Sequence, residues 1–89
     1  MEFIKGYKPI QYTELKNRLN EAYLSSGKTY PDLAVAAEVT STQTIKFVFE
    51  SSEQKVSDKV LTSVSNALNV FAFIMWINGE KHYYVKTKN

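Results

Sequence analysis

The chain contains no cysteine, which excludes a disulfide framework, a thiolate nucleophile and any cysteine-based zinc site. A single histidine, His82, excludes a multi-histidine metal site. Three glycines and two prolines are all that punctuate 89 residues, and no linker, repeat or low-complexity tract interrupts them. The longest apolar run, Val70 to Ile77, falls far short of the roughly 20 residues that cross a membrane. The opening stretch MEFIKGYKPI has no signal-peptide core. The absences fit a soluble, cytoplasmic protein without cofactor, membrane association or evident small-molecule ligand.

Charge of one sign is also scarce. The net charge is +2, and no basic run forms a nucleic-acid stripe. Lys5, Lys8, Lys16, Arg18 and Lys28 make the first third basic. Asp32, Glu38, Glu50, Glu53 and Asp58 make the middle acidic, and Lys81, Lys86 and Lys88 make the tail basic again. Aromatic residues, by contrast, are plentiful: six Tyr, five Phe and one Trp. At this length one core is expected, burying roughly 60% of the unfolded chain's surface. The chain therefore divides as one domain: an arm or short strand over 1–10, a helical core over 12–70 and a hairpin over 71–86.

Hydrophobic spacing defines the helices. Leu15, Leu19, Ala22 and Tyr23 recur as one buried stripe over 12–25, with Gly27 as a left-handed stop. Thr29 suits the N-cap of a second helix, with Pro31 in its first turn and Asp32 three residues on. Leu33, Ala34, Ala36 and Ala37 give that helix a small-residue face. Ser41 or Thr40 opens a third helix, buried through Ile45, Val48 and Phe49. Ser57 caps a fourth, with Val60, Leu61, Val64, Ala67 and Leu68 facing inward.

The remainder changes period. Asn78-Gly79 lies between two aromatic and β-branched runs, the signature of a two-residue hairpin turn. Pairing Ile77 with Glu80 puts Ala72, Ile74, Trp76, Tyr83 and Val85 on one face. Phe71, Phe73, Met75, Ile77, His82 and Tyr84 fall on the other. Both faces are apolar, so one covers the helices. The other needs either the N-terminal arm, through Phe3, Ile4 and Tyr7, or a second chain.

Little in the sequence is catalytic. Ser26-Gly27-Lys28-Thr29 ends like a phosphate-binding loop, but Ala22 stands where that motif needs glycine, and a helix precedes it. A helix stop followed by a helix cap explains all four residues. His82 has no recognisable acid/base partner beyond Glu80 on its own strand, and no carboxylate pair forms an evident dyad. No enzyme is expected.

The second and third helices, meeting across a tight turn, form a helix-turn-helix pattern. Here the chain resembles the lambda-repressor-like family of phage and bacterial repressors and Cro proteins. The likeness rests on Thr-Tyr-Pro-Asp-Leu-Ala (29–34), Ala-Glu-Val (37–39), Ser-Thr-Gln-Thr-Ile (41–45), Val-Ser-Asp-Lys-Val-Leu (56–61) and Ser-Asn-Ala-Leu-Asn-Val (65–70). Two departures stand out. Glu38 replaces the family's turn glycine, and one extra residue, assigned to Thr40, lengthens the turn. The resemblance implies a mainly α fold of four to five helices, here with an appended β-hairpin.

By position, the resemblance places Thr42, Gln43, Lys46 and Phe47 where base edges are read. It places Thr29 and Tyr30, joined by Lys28, at one phosphate clamp, Lys55, Ser57 and Lys59 at a second, and counts Ser41 among the phosphate-binding residues. It implies a double-stranded DNA-binding transcriptional regulator that acts as a dimer. The unpartnered hairpin face, with Phe71, Phe73, Met75 and Tyr84, supplies the expected dimer interface. The acidic middle of the chain fits an alternative better: a protein-interaction module, such as an antitoxin or assembly accessory protein, with a degenerate helix-turn-helix.

Overall fold

The computed structural model describes residues 5–87. The elements run β1 (Tyr7–Ile10), α1 (Tyr12–Ser26), α2 (Tyr30–Ala36), α3 (Thr42–Glu50), α4 (Asp58–Ala67), β2 (Ala72–Ile77) and β3 (Glu80–Lys86). Four helices pack on one another, and through α1 and α4 they meet one antiparallel sheet of order β1-β3-β2. The architecture is therefore mixed α/β, where a mainly α fold was expected. The difference comes from β1: residues 7–10 join the sheet and place β3 at its centre.

Local chemistry explains the helix boundaries. Thr29 and Asp32 form a reciprocal capping box at α2, with Pro31 in the first turn, where its missing N–H costs nothing. Ser41 caps α3 by accepting from the Gln43 N–H, and Ser57 caps α4 by accepting from the Val60 N–H. Gly27 ends α1 in the left-handed conformation at φ 71°.

The turn between α2 and α3 is closed by two crossed hydrogen bonds. The Val39 N–H donates to the Ala34 carbonyl at 2.8 Å, and the Glu38 N–H donates to the Val35 carbonyl at 3.1 Å. This is the Schellman arrangement, which requires a left-handed residue just past the helix. Glu38 supplies it, at φ 57°. Asn69, at φ 60°, does the same after α4, with Val70 donating to Ser65 at 2.9 Å.

The core gathers Leu15 and Leu19 from α1, Leu33 and Ala34 from α2, Ile45, Val48 and Phe49 from α3, and Leu61 and Val64 from α4. Ala37 and Leu68 join them from the helix ends, and Ile10 and Val85 from the sheet. Truncating a fully enclosed member such as Leu19 or Leu33 to alanine costs about 2–5 kcal/mol. Ala36, expected on the small-residue face of α2, is exposed instead. Among the described residues, the buried Ser65 hydroxyl is satisfied by donating to the Leu61 carbonyl at 2.8 Å, whereas the enclosed Tyr12 hydroxyl has no hydrogen-bond partner.

Ile77 pairs with Glu80, as the Asn-Gly turn dictates, and the register continues to Ala72 opposite Val85. Asn78 and Gly79 both take positive φ. Ile10, Ala72, Ile74, Tyr83 and Val85 form the inner face against the helices. On the outer face, Tyr7 meets Phe73 edge-on at 4.9 Å, and Phe73 stacks on Tyr84 at 5.1 Å. Tyr7 thus covers part of the outer face within one chain. Phe3 and Ile4, assigned the same task, lie outside the described residues.

Candidate nucleic-acid interface

α3 buries Ile45, Val48 and Phe49 and exposes Thr42, Gln43, Lys46, Phe47 and Glu50. At 3.6 residues per turn the exposed set spans about 140° of the helix circumference. All four expected base-reading residues share this surface. Phe47 is 45% exposed, whereas Phe49, two residues on, packs against the rings of Tyr23 and Tyr30 at 4.9 and 5.8 Å. An open cleft of about 520 Å3 beside Phe47 is lined by Lys46, Glu50, Ser51 and Lys55.

The first expected phosphate clamp is largely committed to other bonds. The Thr29 N–H donates to Asp32 Oδ2 at 3.1 Å, and its hydroxyl accepts from the Asp32 N–H at 3.2 Å. Pro31 has no N–H, and that of Leu33 bonds the Thr29 carbonyl at 3.0 Å. The start of α2 therefore holds a carboxylate of its own. The Thr29 bonds keep the Asp32 carboxyl below its usual range. Tyr30 is built into the Tyr23–Phe49 aromatic cluster. Burial, and after it the Glu50 carboxylate alongside, raises its pKa. Lys28 is half-buried, and its N–H donates to Ser26 Oγ at 3.1 Å.

The second clamp is more open. Lys55, Ser57 and Lys59 are all exposed around the start of α4. Lys55 Nζ lies 3.5 Å from Glu53 Oε2, both side chains being well solvated. The hydroxyls of Ser41 and Ser57 accept backbone N–H groups and still carry a proton to donate.

The expected dimer residues divide. Tyr84 is 2% exposed within the single chain, Phe71 is 45% exposed, and Phe73 and Met75 are half-buried. Tyr84 is thus withdrawn from the surface that was assigned to it. The cause is its place on the central strand, between Pro9 of β1 and Phe73 of β2.

One cluster near the site has no counterpart in the sequence reading. Asp58, the first residue of α4, accepts from Lys81 Nζ at 2.7 Å, Gln54 Nε2 at 2.8 Å and Trp76 Nε1 at 3.2 Å. Gln54 Oε1 in turn accepts from Lys81 Nζ at 3.1 Å and from the Tyr83 hydroxyl at 2.5 Å. The bonds tie the α3–α4 loop and the start of α4 to the hairpin. The hairpin register sets Trp76 opposite Lys81, but nothing in the sequence points from that pair to Asp58.

A broad groove of about 940 Å3 runs between α1 and the sheet, with Arg18, Lys8 and Lys86 offset by Glu14 and Glu21. His82 Nε2 lies 3.9 Å from Glu80 Oε2. Among the described residues, no group of three His, Asp or Glu side chains is placed to hold a metal ion. No helix among them is long and apolar enough to cross a membrane. No protein-family model matches the chain, and neither a curated protein nor a solved structure matches it.

Proposed function

We propose that this protein is a sequence-specific double-stranded DNA-binding regulator of lambda-repressor-like type that reads the major groove with α3. The observation that supports the reading is the α2–turn–α3 unit. Its turn keeps a left-handed residue where the family has glycine, and beyond it α3 presents Thr42, Gln43, Lys46 and Phe47 to solvent. Gln offers the donor–acceptor pair that matches adenine, and Lys suits the acceptors of guanine. Lys55, Ser57 and Lys59, one loop away, have the chemistry of a backbone clamp. The reading entails an intracellular location, and it includes a homodimer formed through the hairpin.

The test is binding to nonspecific duplex DNA at low and moderate salt. Phosphate contacts release counterions, so affinity falls steeply as salt rises. No binding at low salt overturns the reading. It would leave the second one, a protein-interaction module, which the carboxylates of Asp32, Glu38, Glu50 and Glu53 around this surface favour.

A further inference from the structure

Phe47 is the least expected residue on the exposed face of α3. Burying an aromatic ring of this size is a large part of what stabilises small domains, yet Phe47 remains 45% exposed. It is not a substitute for a missing core residue, since Ile45, Val48 and Phe49 already fill the inner side of α3. Its cleft pairs an apolar wall with cations: Lys46 from the same helix and Lys55 from the following loop. Glu50, also in the cleft lining, stands close enough to Tyr30 to raise its pKa.

An apolar surface between two lysines suits an apolar group carried on a polyanion. Duplex DNA presents one such group in the major groove, the C5-methyl of thymine. Resting on the DNA-binding reading above, we propose that Phe47 is a specificity-determining residue that packs against a thymine methyl, with Lys46 and Lys55 engaging the polar and anionic groups around it. Thr42 is the competing reader, because its own methyl can make the same contact. The two differ in place: Thr42 opens the helix, whereas Phe47 lies more than a turn later, beside the loop that carries Lys55.

The experiment uses the tightest duplex recovered from a randomised pool with the full chain. Each thymine is replaced in turn by uracil, which removes the methyl and leaves the hydrogen-bonding pattern intact. Loss of one buried methyl weakens binding about fourfold, and this loss is expected at one thymine or two adjacent ones. In Phe47→Ala the same replacement should have no effect, while Thr42→Ser should retain the full penalty. Phe47 is outside the core cluster, so both variants fold, which circular dichroism checks.

A uracil penalty that persists in Phe47→Ala, or that disappears in Thr42→Ser, overturns the assignment. So does a selected site at which no thymine responds. Wild-type protein that binds no duplex at low salt overturns the DNA-binding reading itself, and this assignment with it.

Discussion

Lys81 Nζ lies 2.7 Å from Asp58 Oδ1, joining the central strand of the sheet to the first residue of α4. The hydrogen bond from Lys81, followed by that from Gln54, holds the Asp58 carboxyl below its usual range, with burial opposing and Trp76 adding a smaller effect. A carboxyl lowered in the folded state stabilises above its unfolded pKa, about 3.9, and that stability is lost as pH falls through the folded value. The Asp58 side chain is 37% exposed, so solvent screening limits its contribution to about 1 kcal/mol. Asp58→Asn should lower stability by up to this amount at neutral pH, and the difference from wild type should vanish in acid. Urea unfolding across the pH range, followed by the fluorescence of Trp76, measures it. A difference that stays constant down to strongly acid pH would remove the ion pair as its cause.

Glu38 predicts a gain. Its φ of 57° places Cβ against the following carbonyl, which costs a residue other than glycine about 1 kcal/mol. The two Schellman hydrogen bonds hold it there regardless. Glu38→Gly relieves the strain at the cost of a more flexible unfolded chain. A net stabilisation of about 0.5 kcal/mol or less is therefore expected in urea unfolding. If DNA is the partner, losing a carboxylate near α3 also tightens duplex binding slightly. A less stable Glu38→Gly would mean that the side chain makes a compensating contact.

The proposed base-reading and phosphate-contacting roles separate by how they fail. Gln43→Ala should cost about 1–3 kcal/mol on the best site and relax preference at one base pair. Equal weakening on every sequence would reduce Gln43 to a positioning role. Lys55→Ala should weaken specific and nonspecific binding together and reduce the salt slope by about one. Glu53 holds the same ammonium group at 3.5 Å, so Glu53→Gln should strengthen binding. An unchanged slope in Lys55→Ala would put that lysine outside the footprint.

These variants also show which parts of the structure were legible in the sequence. Caps are local: Thr29 with Asp32, Ser41 and Ser57 act within three residues, and each was readable as a cap. Asn78-Gly79 fixes a two-residue turn, and with it the register of β2 on β3. The misreadings were matters of long-range pairing. β1 has only four residues, one of them Pro9, and nothing in its own pattern says that it reaches β3. Missing that pairing made the fold look mainly α and made Tyr84, which does lie on the outer face with Phe73, look uncovered when it is 2% exposed.

The Asp58 cluster was invisible for the same reason. Its partners Trp76 and Lys81 stand 18 and 23 residues away, and no periodicity brings a loop glutamine to a strand tyrosine. The strain at Glu38 was hidden differently. Residue preference disfavoured a left-handed glutamate, and the tertiary requirement of the turn overrode it.

The proposed dimer is where the pairing of β1 changes the experiment most. Phe73 is held between Tyr7 and Tyr84, so placing a charge there would disturb the chain's own packing before it tested an interface. Phe71, exposed at 45%, and Met75 are the better probes. β2 is an edge strand of the described sheet, and Ala72–Ile77 has no charge and no proline. Strands of this kind readily pair with another copy. A two-fold axis beside β2 would set one strand antiparallel to its counterpart and align the two outer faces. Two α3 helices so joined would meet half-sites about one helical turn apart, which predicts a near-palindromic preferred sequence. Wild type should sediment as a dimer at tens of micromolar. Met75→Lys, combined with Phe71→Ser, should be a folded monomer with weaker duplex binding. A monomeric wild type would remove the dimer from the proposal. A double variant that remains dimeric would place the interface away from the hairpin.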